Sequence, residues 1–293
     1  MKPPPFQYFD PTTIDEATGL LGRYDNAKLL AGGQSLMPML NMRFIFPDQL
    51  IDLNRIPDLT GIRRSGETIE IGAMTRQREL ERSALVGEKL PILVEGLQQV
   101  GHIQTRNRGT IGGSLTHLDP AAELVSLAML YDAQISIQGA NGDRKLPFSE
   151  FVLGYMTPAI GFDEIVTGIG FEAWPASHGF GFCEFSRRHG DFAIVSASAL
   201  LTLEGGAVAR ASFVLGGVDA VPLKMPEVES TLIGQQPGEV LYQAVAEQCR
   251  QIDAMEDSLI PADYRQHLAG VMGRRALEAA VARCRDGDLG THE

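Results

Sequence analysis

Cysteine is scarce in this sequence, and the little there is does not cluster. Cys183, Cys249 and Cys284 are far apart, and no two form a C-x-x-C pair. A disulfide framework, a zinc site and a cysteine-held iron–sulfur cluster are therefore poorly supported. The six histidines show neither H-x-x-x-H nor H-E-x-x-H spacing. Any redox chemistry done by this chain must then use an organic cofactor. Cationic side chains are also in deficit, with 25 Lys and Arg against 37 Asp and Glu, a net charge of −12. That balance works against a nucleic-acid partner, which demands clustered Lys and Arg, and against an anionic membrane surface. It leaves a phosphate-bearing cofactor open, because backbone N–H groups can hold phosphates without basic side chains. No apolar run approaches membrane-spanning length, and Met1-Lys2-Pro3-Pro4-Pro5 has no apolar signal core behind it, so the cytoplasm is the expected location. Two familiar phosphate motifs are missing as well. No Gly-Lys-Ser/Thr follows a glycine loop, and no G-x-G-x-x-G is present.

What is there reads as an ordinary globular α/β protein, 44% apolar and 21% charged over 293 residues. That length suggests about two domains, with enough core to need no covalent staples. Thr13 and Glu16 are spaced as a capping box, and Ile14, Ala17 and Leu21 follow at helical intervals. Lys28 to Ala31 reads as a short buried strand, Gln34 to Leu40 as a loop entering a helix, and Asp48 to Leu53 as another strand. The opening is thus a β-α-β alternation. Thr68 to Ile71 alternates as a half-buried strand, Thr75 can cap a helix through Leu80, and Pro91 to Val100 forms a helix presenting Leu93, Leu97 and Val100. Asn107-Arg108-Gly109 signals a turn. Asp119-Pro120 reads as an N-cap and first helical position, with Ala121, Leu124, Val125 and Ala128 as the buried stripe. Ile165 to Phe171 is strand-like. Beyond a compositional change at Trp174-Pro175, residues 199–203 and 207–215 flank Gly205-Gly206 as a hairpin, and residues 238–284 are mainly helical. The expected division is 1–176 and 177–293, the first part in two lobes of about 1–55 and 56–176.

Four Gly-Gly pairs punctuate the chain. Gly205-Gly206 and Gly216-Gly217 border alternating runs, and turns explain them. Gly32-Gly33 and Gly112-Gly113 differ: each is read as following a short apolar strand, is followed closely by a small hydroxyl residue, Ser35 or Ser114, and leads towards a helix. Residues without Cβ let backbone donors approach a phosphate closely. Two such loops about eighty residues apart suggest a diphosphate clamped from both sides.

Ala31-Gly32-Gly33-Gln34-Ser35-Leu36 and Thr110-Ile111-Gly112-Gly113-Ser114 closely resemble the two FAD-pyrophosphate loops of the medium subunit of aerobic carbon monoxide dehydrogenase and its relatives. The resemblance runs along nearly the whole chain, through Arg106-Asn107-Arg108-Gly109, Arg187 to Val195 and Tyr264 to Leu268. It implies a two-lobed FAD-binding domain of the kind shared with xanthine dehydrogenase and vanillyl-alcohol oxidase, with a smaller C-terminal α/β domain of antiparallel sheet and helices behind it. It further implies two partner subunits, a large one carrying molybdopterin, where substrate is oxidised, and a small one carrying two [2Fe–2S] clusters that feed electrons to FAD. The implied assembly is a dimer of heterotrimers.

Residue by residue, the resemblance makes Ala31 to Leu36 and Thr110 to Ser114 cofactor-binding and assigns no catalytic acid or base. Glu123 matches an acidic FAD contact, although an acid in the first turn of a helix is also favoured by the helix dipole. Ile165 matches a position whose backbone meets the adenine side, and is otherwise core. Phe192 would lie against the flavin ring in a loop running from Arg187 to Ile194; otherwise Arg187 and Arg188 are solvated and Phe192 is core. Many relatives have Lys where this chain has Glu184, and a negative charge there would disfavour an anionic flavin or a phosphate-bearing acceptor. His102 and His117 flank the second loop and read as structural. Two other readings stand beside this one: a self-contained FAD oxidase, against which the small C-terminal region argues, and a non-redox scaffold, which the intact glycines disfavour.

Overall fold

The computed structural model describes residues 2–140 and 142–288, so the last five residues of the expected C-terminal region lie outside the described residues. Strands β1 (Gln7–Phe9), β2 (Ala27–Leu30) and β3 (Gln49–Asp52) form a parallel sheet in the order β1-β3-β2, crossed by helices α1 (Ile14–Arg23) and α2 (Leu36–Asn41). Parallel neighbours need crossover connections, and the β-α-β alternation of the sequence supplies them. Thr13 caps α1 as its spacing predicts, accepting from Glu16 N–H, and Glu16 reaches back to the N–H of Thr12 rather than of Thr13.

A second lobe is built on an antiparallel sheet. Strands β4 (Ile62–Ser65) and β5 (Thr68–Gly72) are followed by helices α3 (Gln77–Arg82), α4 (Ala84–Lys89), α5 (Pro91–Gln99), α6 (Ile103–Arg108), α7 (Ile111–His117) and α8 (Glu123–Tyr131). Strands β6 (Gln134–Gly139) and β7 (Gly142–Pro147), helix α9 (Phe148–Phe151), the small hairpin β8 (Val152–Gly154) and β9 (Thr157–Pro158), and β10 (Glu164–Glu172) complete it. The five-stranded order β4-β5-β10-β6-β7 puts β10 at the centre.

The remaining residues form a four-stranded antiparallel sheet of β11 (Gly179–Phe185), β12 (Val195–Glu204), β13 (Ala207–Gly216) and β14 (Leu223–Lys224). Helices α10 (Pro226–Leu232), α11 (Glu239–Arg250) and α12 (Ala262–Asp288) cover one of its faces. Gly205 and Gly206 both take positive φ in the β12–β13 turn, the conformation a two-residue hairpin needs. Phe182, Leu200 and Val214 of this sheet share a core with helices α5 and α8 of the second lobe. The sheet's other face therefore closes over the second lobe instead of facing water. No described helix is long and apolar enough to cross a membrane.

Three local expectations are corrected. Thr75 does not cap α3; its hydroxyl accepts from Gly61 N–H and donates to Gly61 O. Asn107 and Arg108 belong to helix α6, which stops at Gly109. Helix α8 begins at Glu123 with Ala122 as its N-cap, and Asp119 instead closes an Asx turn onto Ala121 N–H. Every α8 residue from Glu123 to Leu130 is buried, so the stripe predicted for this helix is in fact its whole circumference.

Candidate functional site

The two glycine segments, eighty residues apart in sequence, are in direct contact. A Cβ placed on Gly32 would lie 2.2 Å from Arg108 O and 2.8 Å from Gly109 Cα, and one on Gly113 would lie 3.3 Å from Ala31 Cβ. The backbones can approach this closely only because the side chains are missing. Gly33 takes φ +72°, which turns the chain from β2 towards α2.

A polar staple holds the seam. Asn54 Nδ2 donates to Ala31 O (2.9 Å), while Arg76 donates through one guanidinium nitrogen to Arg108 O (2.5 Å) and through the other to Asn54 Oδ1. Asp52, at the end of β3, accepts from both the backbone and side chain of Asn54 and so fixes its orientation. Burial and the nearby Arg108 charge lower the Arg76 pKa, but hydrogen bonds keep the group in place. Neither Asn54 nor Arg76 stands out in the sequence. Asp52-x-Asn54 after a strand is the only local signal, and nothing local marks Arg76.

The two segments contribute differently. Among the described residues, the N–H groups of Gly32, Gly33, Gln34, Ser35 and Leu36 find no acceptor within the chain. The second segment is not a loop after a strand but the start of α7, following directly on α6. Its donors are engaged: Ile111 N–H to Thr75 O (3.2 Å), Gly112 N–H to Ala73 O (2.8 Å) and Gly113 N–H to the Thr110 cap hydroxyl (3.1 Å). Free donors thus come from residues 32–36. Residues 110–114 supply a wall without a Cβ at Gly113, and Ser114.

Glu123 sits 4% exposed in the first turn of α8, the helix that follows and packs on α7. Burial pushes its carboxyl up to about 8, helped by the neighbouring Glu184 and Asp119 and opposed by its own amide. Glu184, near the end of β11, is also driven up by burial, to about 7. Burial therefore weakens, without removing, the negative charge expected there near neutral pH. Ile165 lies on β10 with its side chain committed to a core of Ala17, Ile51, Leu53 and Met74, and its backbone paired with Gln138.

Phe192 is 64% exposed in the loop joining β11 to β12, so it is not a core residue. That loop packs on the segment that leads into α6. Gly190 (φ +88°) is in contact with His102, the residue before α6, closely enough that a Cβ would meet the imidazole at 2.7 Å. Behind the loop, the buried guanidinium of Arg265 donates to Ile194 O (2.7 Å), Gly217 O (2.6 Å) and Asp257 (2.5 Å). Gly217 N–H in turn donates to Pro120 O, which ties this brace to the link between α7 and α8. Burial lowers the pKa of His117, at the end of α7, against the opposing charge of Asp119. The Tyr264 to Leu268 resemblance thus corresponds, through Arg265, to a structural anchor.

Unengaged donors at a Cβ-free seam fit a phosphate-bearing cofactor such as a dinucleotide. No group of His, Cys, Asp and Glu suited to a metal occurs among the described residues. Residues 4–173 match the family described as the FAD binding domain in molybdopterin dehydrogenase, and residues 180–280 match the CO dehydrogenase flavoprotein C-terminal domain. The chain belongs to the FAD-binding medium subunits of the molybdenum hydroxylases. It is 39% identical to the 6-hydroxypseudooxynicotine dehydrogenase complex subunit alpha of Paenarthrobacter nicotinovorans, over 97% of each chain. It is 37% identical to the carbon monoxide dehydrogenase medium chain of Hydrogenophaga pseudoflava, over 97% of this chain and all of that one. The solved carbon monoxide dehydrogenase of that organism superposes with a TM-score of 0.94 at 38% identity, covering 97% of this chain and 100% of the other. Quinoline 2-oxidoreductase from Pseudomonas putida 86 gives a TM-score of 0.93 at 31% identity, with the same coverage. As a member of this family the chain is an FAD-binding component of an oxidoreductase, with the mixed α/β architecture expected from its sequence.

Proposed function

We propose that this chain is the electron-transferring flavin subunit of a heterotrimeric molybdenum-containing dehydrogenase. In this reading a small subunit with two [2Fe–2S] clusters passes electrons to FAD held here, and a large molybdopterin subunit oxidises the substrate. The complex is a dimer of such heterotrimers in the cytoplasm. The chain divides near residue 176 into the FAD-binding part and the C-terminal part. The observation that carries the reading is the seam itself: five unengaged amides at Gly32 to Leu36, in a segment that packs against the start of α7 at Gly113.

The residues have separable tasks. The amides of residues 32–36 donate to the diphosphate, and the backbone carbonyl of Ala31 is held out of the way by Asn54. Gly113 keeps the opposite wall thin, Gly112 lets α7 pack closely on Ala73 behind it, and the hydroxyls of Ser35 and Ser114 are available to the ribityl side. Glu123 lies beyond α7 as an acid able to donate a hydrogen bond while protonated. Ile165 contributes backbone only, at the adenine end. Phe192 lies over the ring and restricts access from solvent. A bound flavin accepts electrons singly or in pairs, which bridges one-electron clusters and two-electron acceptors. No residue of this chain acts as a general acid or base on the substrate.

The test is a visible spectrum of the chain co-expressed with its neighbouring genes, taken before and after acid precipitation. Yellow complex that releases flavin into the acid supernatant is the expected result. Flavin that stays with the precipitate would favour a self-contained oxidase with a covalent tether. A colourless complex would overturn the reading in favour of a scaffold.

A further inference from the structure

We propose that the cleft between α3, α6 and the edge strand β4 is a second binding site, which takes the phosphate group of a small phosphorylated molecule. It is separate from the glycine seam: among the described residues, nothing from 31–36 or 110–114 lines it.

The sequence around α3 builds the cleft. Arg78 and Arg82 are four residues apart and share one face of the helix, and Arg76 is the residue just before it. Asn107 comes from α6, which is fastened to α3 by the ion pair of Arg106 with Glu81 (3.0 Å), and Ile62 of β4 supplies an apolar side. The cleft opens to solvent and has a volume of about 730 Å³. That size falls within the roughly 300–1,000 Å³ of small-molecule sites.

Its charge is unbalanced. On β4 itself the arginines find carboxylates, Arg63 with Glu70 at 2.6 Å and Arg64 with Glu67 at 2.8 Å. In the cleft they do not. Arg82 is exposed and pairs with no carboxylate among the described residues. Nor does Arg76, which is half-buried and donates to Arg108 O and Asn54. Arg78 reaches Glu81 (2.7 Å), a carboxylate it must share with Arg106. Glu79 is the one carboxylate among the described lining residues, so three guanidinium groups stand against one acid on a chain whose net charge is −12. Burial and the charge of Arg108 both lower the Arg76 pKa, as expected of cations crowded together without a counter-ion.

The donors suit a phosphate. Guanidinium groups are planar forks that match phosphoryl oxygens. Two neutral donors stand among them, the Asn107 amide and the Ser83 hydroxyl. Ser83 accepts from Val86 N–H as the cap of α4 and keeps its own hydrogen to donate. A phosphate group carries three strong acceptor oxygens, enough to engage both arginines of α3 and a neutral donor together. Arg78 and Arg82 are like charges at helical spacing, and their repulsion is relieved when an anion lies between them.

The experiment is isothermal titration calorimetry of the complex as purified, the full chain with its co-expressed partners, in chloride buffer of about 0.05 M ionic strength. Inorganic phosphate and ADP are the two probes. Saturable binding is expected. A tighter constant for ADP identifies a nucleotide as the occupant, and equal or weaker binding of ADP identifies free phosphate. R82Q should weaken binding by about tenfold, the loss of one charge-assisted hydrogen bond. E79Q should tighten it severalfold, because the opposing charge is gone. Both positions are exposed, so far-UV circular dichroism and flavin content should match wild type in both variants. Changes of opposite sign on one helix cannot come from misfolding. No saturation with either probe up to about 10 mM overturns the proposal. So does binding that either variant fails to move in the stated direction.

Discussion

Adding one methyl group at Gly32 tests the seam more sharply than any charge change. The Cβ introduced by Gly32→Ala would stand 2.2 Å from the carbonyl oxygen of Arg108. That oxygen is backbone, pinned by Arg76, so no side-chain rotation can relieve the contact. The two segments must separate by about 1 Å, and overpacking of this kind costs typically ~1–3 kcal/mol. A displacement of that size at a binding loop is also large compared with hydrogen-bond tolerances, so the free amides of residues 32–36 lose their common target. Gly32→Ala should lower Tm by several degrees and leave the purified complex largely without flavin, measured as the ratio of absorbance near 450 nm to that near 280 nm. Gly19→Ala is the control. It lies on α1 with nothing within 4 Å of its Cβ position, and should stabilise by about 0.5–1 kcal/mol with full flavin content. A Gly32→Ala complex with normal flavin content and unchanged Tm would refute the argument that the two segments form one binding seam.

Further expectations follow from single residues. Arg265→Met leaves the buried carbonyls of Ile194 and Gly217 without their donor; denaturant titration should show a loss of about 2–4 kcal/mol, and an unchanged midpoint would contradict the bracing role. Thr110→Val removes the cap of α7 and should cost about 1 kcal/mol by thermal melting, with weaker FAD retention. Phe192→Ala, at an exposed position, should leave Tm unchanged but alter bound-flavin fluorescence and the rate of reoxidation by external acceptors. Glu123 gives a pH dependence whose sign is fixed. Its folded carboxyl titrates near 8 against 4.5 when unfolded, so the unfolded chain releases the proton first. Its stabilising contribution is complete below about pH 4.5 and is lost as the pH rises to about 8, a change of at most ~5 kcal/mol. Glu123→Gln should flatten this part of the stability–pH curve, and equal slopes in the two proteins would disprove it.

Much of the architecture was legible because local signals and long-range needs agreed. Thr13 caps a helix, Gly205 and Gly206 turn a hairpin, and short strands alternating with helices make a parallel sheet. The misreadings occur where tertiary contacts override local chemistry. Thr75 has a capping residue's side chain but spends it on Gly61, fourteen positions earlier. Asn107-Arg108-Gly109 has turn composition, yet α6 runs through Arg108 because Arg106 is anchored to Glu81 on α3.

The site shows the same division. The glycine pairs mark the seam in the sequence, and only their resemblance to known loops joins them. The inequality between them is invisible locally, since it depends on acceptors at Ala73 and Thr75. Asn54 and Arg76 were missed because a staple is defined by what it connects. Glu184 appeared as a fixed charge, whereas its burial beside Ser196 raises its pKa.

The most direct measurement is an experimental density map of the assembled complex with FAD. The account predicts the diphosphate within hydrogen-bonding distance, about 2.7–3.2 Å, of several amides between Gly32 and Leu36, with Gly113 on its opposite side. A diphosphate bound elsewhere, with those amides facing only solvent, would contradict it.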